Sequence, residues 1–136
     1  MKSLAVLSLV IALAGCGADA DRTTVAIGDA AWTVLLAPDD GMRGRSDFDG
    51  ADGMLFTFKR EVDPRTIVWV MDGVASPLDI AWFDGNGDLV DTMTMPVCPA
   101  EPCPQHQSGG PYRWAIEAPV GAFAGLDAGA RLDLDP

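Results

Sequence analysis

The chain has 136 residues, 49% of them hydrophobic, with 20 acidic against 9 basic side chains and a formal net charge of −11. That length allows one domain at most, and the apolar content excludes a disordered chain. So negative a chain has no electrostatic footprint for nucleic acid, which is excluded as a partner, and an anionic bilayer would repel it.

Residues 1–15 read as a lipoprotein signal peptide. Lys2 supplies the positive start, and the apolar run from Leu4 to Leu13 is too short to span a bilayer. It closes with Leu13-Ala14-Gly15-Cys16, which resembles the lipobox of bacterial lipoproteins. The resemblance implies cleavage before Cys16, lipidation of its thiol, export, and anchoring to the membrane through that lipid. Gly17, rather than an aspartate, follows the cysteine. By the sorting rule of Gram-negative lipoproteins this implies the outer membrane or cell surface. Residues 16–22 then form the lipidated cysteine and a tether, and residues 23–136 a single β-rich domain.

The 15 glycines and 10 prolines punctuate short runs of β-branched and aromatic residues. This pattern predicts an all-β or β-rich α+β fold, a compact and mainly antiparallel sheet or barrel-like domain with short helical pieces. Thr23–Ile27 and Ala31–Leu36 flank a Gly28-Asp29 turn as a first hairpin. Pro38-Asp39-Asp40 is expected to begin a single helical turn. Gly41 to Asp52 is a turn-rich loop that carries an isolated basic pair, Arg43 and Arg45, either solvated or facing a ligand. Gly53–Phe58 is the next strand, and a polar connection runs from Lys59 to Pro64.

Between Arg65 and Met95 lie three apolar runs of strand length, with Asn86-Gly87 between the second and third. Asn-Gly between apolar runs predicts a two-residue type I′ hairpin, with positive φ at both positions. Phe83 should then face Val90, Trp82 Asp91, Ile80 Met93, Asp79 Thr94 and Leu78 Met95. Leu78, Ile80, Trp82, Met93 and Met95 form the expected core face. Asp79, Ala81, Phe83, Val90, Thr92 and Thr94 form a more polar one. Pro96 to Gly110 reads as loop, because its prolines forbid both helix and central strand. Tyr112–Ala118 alternates, with Tyr112, Trp114, Ile116 and Ala118 expected inward and Arg113 and Glu117 outward. Val120–Leu126 is expected as a short helix and Ala130–Leu134 as a last strand.

The motifs of this domain resemble those of domain of unknown function family 192 (DUF192), small exported or lipid-anchored prokaryotic proteins of uncharacterised activity. Gly41-Met42-Arg43-Gly44-Arg45 is similar to the family's Gly-Leu-Met-x-Arg. Gly53-Met54-Leu55-Phe56 and Pro77-Leu78-Asp79-Ile80 match its Gly-Met-Leu-Phe and Pro-Leu-Asp-Ile. Cys98 and Cys103 sit where many members have a cysteine pair, and Trp114, Glu117 and Gly121 fit the closing strand and turn. The family commonly reads Phe-Trp-Met-Lys-Asn-Thr where this chain has Trp69-Val70-Met71-Asp72-Gly73-Val74. A pocket that used the Lys, Asn and Thr beside Asp79 is therefore lost here or reads something else. The resemblance implies a compact, mainly antiparallel β-fold and no established reaction.

Asp84-Gly85-Asn86-Gly87-Asp88 looks like the start of a calcium loop. However, the sixth and twelfth positions hold Leu89 and Met95 instead of the required Gly and Glu, and a hairpin tip explains the same residues. Catalytic machinery is thin: there is one histidine, His106, and no nucleophile elbow, phosphate loop, dinucleotide fingerprint or haem motif. Asp79 with Asp72 could serve as an acid–base carboxylate pair, although an aspartate beside Thr94 equally reads as a structural hydrogen-bonding group. Met93, Met95, Cys98, Cys103 and His106 are donors that suit copper. Against that, export favours a Cys98–Cys103 disulfide, and Met residues at strand spacing belong in a core. The functional expectation is a lipid-anchored envelope protein acting as a non-enzymatic binding or accessory module, with no cofactor. Its partners are the membrane and an unidentified envelope ligand or protein, with Asp79, Asp72, Thr94, Arg43 and Arg45 as candidate ligand-binding residues. A copper-binding protein and a hydrolase centred on Asp79 are the alternatives.

Overall fold

A computed structural model describes residues 21–136. The expected signal peptide, the lipidated Cys16 and all but the last two residues of the tether lie outside the described residues. Seven strands follow in order: β1 (Arg22–Ile27), β2 (Ala30–Leu36), β3 (Gly53–Val62), β4 (Leu78–Phe83), β5 (Leu89–Met95), β6 (Tyr112–Pro119) and β7 (Leu132–Asp133). They form one curled sheet in the order β5-β4-β6-β3-β2-β1-β7. Only β2 and β3 run parallel, and every other neighbouring pair is antiparallel.

The first hairpin forms as expected, with Val25 opposite Trp32 and Gly28 at positive φ in the turn. Strand β3 is longer than expected, because it runs on through a register shift to Val62, which pairs with Tyr112. By contrast, the apolar run Arg65–Met71 makes no strand. Its side chains alternate, with Trp69 and Met71 buried and Val68 and Val70 exposed, but its backbone finds only a single bridge from Trp69 to His106. A β-period alone does not supply a partner strand.

The expected helical pieces are absent among the described residues. Both segments are chains of tight turns instead. Gly41 N–H donates to Pro38 C=O and Arg43 N–H to Asp40 C=O in the first, and Ala122 N–H donates to Pro119 C=O in the second. Gly41, Gly44 and Gly121 adopt positive φ, which interrupts helical geometry before a second turn can form.

The central hairpin keeps its expected register from Leu78↔Met95 through Trp82↔Asp91. Above that point it differs, since Phe83 pairs with Leu89 rather than Val90 and the register slips by one. The tip is also wider than a type I′ turn. Only Gly87 has positive φ, Gly87 N–H donates to Asp84 C=O, and Asp84 N–H donates to Asp88 C=O. The Asp84 side chain selects this loop: its Oδ1 accepts the amides of Asn86 (2.9 Å) and Asp88 (3.0 Å). The extra residue is absorbed at Val90, which joins the cluster containing Ile80, Trp82 and Met93.

Both faces of the sheet are covered, so the expected polar face of the hairpin is not polar at its tip end. Ala81 and Phe83 are fully buried, in a cluster with Val25, Val34, Ile116 and Ala118 under the loop that carries Phe123. That loop is pinned by stacking of Phe123 on Trp32 at 5.2 Å. The opposite face holds Met54, Leu78, Ile80, Trp82, Met95 and Tyr112, covered by Met42, Phe48, Trp69 and Met71. Irregular segments thus do the covering that helices do in other sheets.

The two edge strands meet at one end. Leu132 N–H donates to Gly87 C=O at 2.7 Å and Leu89 N–H to Ala130 C=O at 3.1 Å, while Asp88 and Arg131 form a bridge. This seam gives the sheet its half-barrel curl. It needs glycine at its contact point, because a Cβ on Gly87 would stand 2.5 Å from the Leu132 carbonyl oxygen.

Candidate functional site

The site is built on β6, which lies between β3 and β4 in the middle of the sheet. Glu117 stands opposite Met54 on one side and Ile80 on the other. Close approach of β3 is possible because residue 53 is glycine, where a Cβ would sit 2.5 Å from the Glu117 carbonyl oxygen. The sequence pattern places the Glu117 side chain in water. In the structure it is only 6% exposed. Its Oε2 has no hydrogen-bond partner, and burial pushes the carboxyl up to about 7. A carboxyl group at the centre of a sheet, with apolar neighbours on both sides, has lost its water without gaining a replacement.

Glu117 opens into a cleft of about 450 Å³. Phe56 of β3 shares the cleft lining, and two loops form the walls. One wall is Asp39 to Arg43, held down by buried Met42 and passing so close to Phe56 that a Cβ on Gly41 would stand 3.2 Å from its ring. The other is Val68 to Val74, anchored by Trp69, whose indole N–H donates to the Tyr112 hydroxyl at 3.1 Å. Trp69 and Phe56 meet edge to face at 4.9 Å.

The walls are clamped to each other. Gly44 N–H donates to Gly73 C=O at 2.9 Å, and the Arg43 guanidinium lies 2.8 Å from Asp72. Gly73 must lack a side chain, since a Cβ there would press on the Arg43 stem at 2.9 Å. The disulfide between Cys98 and Cys103, with Cα atoms 5.2 Å apart, ties off the neighbouring loop. It brings Glu101 and the Cys103 sulfur within 4.8 Å of the Asp72 carboxylate. That sulfur is bonded to Cys98, so the group offers two carboxylates rather than a three-donor metal site.

Of the residues singled out in the sequence, Arg43 and Asp72 come together at the cleft. Arg45 does not join them; it faces an adjoining apolar cleft and pairs with Asp49 at 3.4 Å. Asp79 and Thr94 also meet, but elsewhere. Thr94 Oγ1 donates to Asp79 Oδ1 at 2.5 Å, and Gly121 N–H donates to Asp79 Oδ2 at 2.8 Å. Asp79 therefore fastens the hairpin to the turn after β6, with both oxygens engaged and away from Asp72. The copper set is also dispersed: the disulfide uses both thiols, and Met95 is fully buried in the core. Met93 lines a small cleft beside Asp79, and His106 holds Trp69 through the backbone bridge. Glu117, Phe56 and Trp69, which carry the cleft, were not among the expected site residues. A single acid inside the run Ala115-Ile116-Glu117-Ala118 is the sequence signal that could have marked them.

The model of the family DUF192, described as "Uncharacterized ACR", matches residues 23–134. The chain belongs to DUF192. Two crystal structures share the DUF192 chain's fold. One is a candidate transcription regulator from Sinorhizobium meliloti 1021, with 22% identity, a TM-score of 0.70, and coverage of 86% of this chain and 96% of that one. The other is a protein of unknown function from Novosphingobium aromaticivorans DSM 12444, with 17% identity, a TM-score of 0.67, and coverage of 82% and 84%. At those identities the likeness extends to the fold alone. No curated protein matches the chain.

Proposed function

We propose that this DUF192 protein is an exported, lipid-anchored envelope protein that works as a non-enzymatic binding module through the Glu117 cleft. The observation that carries the reading is the buried Glu117 carboxyl, left without a partner at a cleft lined by Phe56 and Trp69. Natural folds pair nearly all of their buried polar groups, so an unpaired carboxyl oxygen at a cleft marks a place that a ligand can complete. Binding rather than chemistry is supported by the lining, which contains no Ser, Thr, Cys or His side chain to serve as a nucleophile beside the acid. The acidity of the chain argues against a nucleic-acid ligand.

Anchoring rests on Leu13-Ala14-Gly15-Cys16, with two or more acyl chains needed for stable attachment. Two measurements test the proposal. Cys16→Ser should move the protein from the membrane to the soluble fraction, and full retention on membranes would remove the anchor. A thermal-shift screen of the purified protein against amines, sugars, peptidoglycan fragments and metals should find compounds that raise the melting temperature, since a ligand of the native state stabilises it. That shift should vanish in Glu117→Gln. A shift that survives the substitution places the binding site elsewhere.

A further inference from the structure

Resting on that reading of the cleft, we infer that its ligand is an organic cation, whose ammonium or guanidinium group pairs with the Glu117 carboxylate while its apolar body lies against Trp69 and Phe56. Glu117 Oε2 is the one buried side-chain oxygen without a partner among the described residues. The protein supplies no cation of its own to it. Arg43 is the single basic residue of the lining, and its guanidinium is engaged by Asp72 at 2.8 Å. Burial raises the Glu117 carboxyl, and no ion pair to a basic side chain is formed there among the described residues.

The remaining charges at the cleft are acids: Asp39, Asp40 and Asp72 in the lining, with Glu101 beside Asp72. The strands flanking Glu117 present Met54 and Ile80, which carry no charge. An anionic ligand would meet repulsion at the rim and again at the floor. A neutral ligand would leave the carboxyl's buried oxygen to a single weak hydrogen bond. A cation forms a charge-assisted bond to a carboxyl that is itself buried, where such bonds are strongest. The aromatic lining favours the same choice. The indole N–H of Trp69 is spent on Tyr112, so that residue offers π-surface rather than a donor. The cleft volume of about 450 Å³ is that of a small-molecule site, and the net charge of −11 steers cations towards the protein.

The test uses three compounds of one shape: 2-phenylethylamine, 2-phenylethanol and 3-phenylpropionate. Each is titrated into the purified protein by calorimetry, in two buffers of different ionisation enthalpy. The amine should bind at least roughly tenfold more tightly than the alcohol, and it should release protons to the buffer as Glu117 ionises. Glu117→Gln should remove that preference and the proton release, bringing the amine down to the weak affinity of the alcohol. Equal affinity for amine and alcohol, or tighter binding of the propionate, would overturn the cation while keeping the cleft as a binding site, whereas unchanged amine binding by Glu117→Gln would overturn both. No binding of the amine also overturns it. A Glu117-dependent thermal shift with an uncharged compound would then leave the broader reading intact.

Discussion

Two carboxyl groups sit one residue apart in register on neighbouring strands, and the sheet treats them in opposite ways. Asp79 on β4 stands opposite Ala118, and Glu117 on β6 stands opposite Ile80. Asp79 is half-buried and has both oxygens engaged, by a hydroxyl and an amide. Glu117 is more deeply buried and has an oxygen with no partner. Asp79 lies in a recognisable Pro-Leu-Asp-Ile motif, yet its contacts account for it as a fastening of the fold. Glu117 looks like an ordinary outward residue in the sequence, yet the fold alone does not account for it. The contrast separates a group that holds the shape from one that the shape leaves open: a satisfied polar group stabilises, whereas an unsatisfied one costs stability.

The largest expected effect follows from proton linkage. The Glu117 carboxyl titrates near 7 in the folded state against an ordinary 4.5. Between those values the folded protein holds a proton that the unfolded chain has already released, so stability falls as pH rises through the window. Below about 4.5 the contribution is fully present, and above about 7 it is lost, with a size on the order of 3 kcal/mol. Denaturant melts at a series of pH values should show this slope in the wild type and in Asp79→Asn. Glu117→Gln should lack that component. Because the whole acidic surface also titrates, the wild-type minus Glu117→Gln difference is the quantity to read; a flat difference would break the contrast.

A change of sign comes next. Asp79→Ala strands the Thr94 hydroxyl and the Gly121 amide, and should destabilise by about 1–2 kcal/mol at neutral pH. Glu117→Leu fills the same volume without a charge to desolvate, and should stabilise by about 1–2 kcal/mol at pH 8. Equal signs in chemical denaturation would mean that Glu117, too, is a structural group. The smallest effect belongs to the rim. The Arg43 and Asp72 side chains are 58% and 42% exposed, so Asp72→Ala should cost less than about 1 kcal/mol. It should nevertheless weaken binding of 2-phenylethylamine measurably, because the released guanidinium adds positive charge to the cleft.

Much of the sheet was legible because local rules and tertiary structure agree there. The Asn-Gly tip and the alternation from Leu78 to Trp82 correctly paired Asp79 with Thr94 and Leu78 with Met95. The register failed at Phe83 because the Asp84 side chain captures two amides and widens the turn, a contest that a dipeptide rule cannot weigh. Arg65–Met71 has the period of a strand, but no neighbouring strand offers it a ladder. Glu117 was misplaced because alternation assigns polar residues to water, and this holds only for a sheet with one open face. β6 is central and covered on both sides. Sequence spacing also could not anticipate that Arg43 and Asp72 would meet, since their two loops are distant in the chain and are brought together by tertiary contacts such as the Gly44–Gly73 hydrogen bond.

The seam where β7 meets the hairpin tip has a consequence for self-association. An open sheet ends in two rows of unpaired amides and carbonyls, each a template on which another copy can add a strand. In this chain the edges occupy each other at Gly87–Leu132 and Leu89–Ala130. Farther along β5, Asp91 Oδ2 accepts the Gly109 amide at 2.9 Å and draws a loop over the strand. Gly87 is thus a guard against edge-to-edge assembly as well as a turn residue. Any side chain there collides with the Leu132 carbonyl and opens the seam, so a Gly87→Val protein is expected to move towards higher-mass species in size-exclusion chromatography even under conditions where it remains folded.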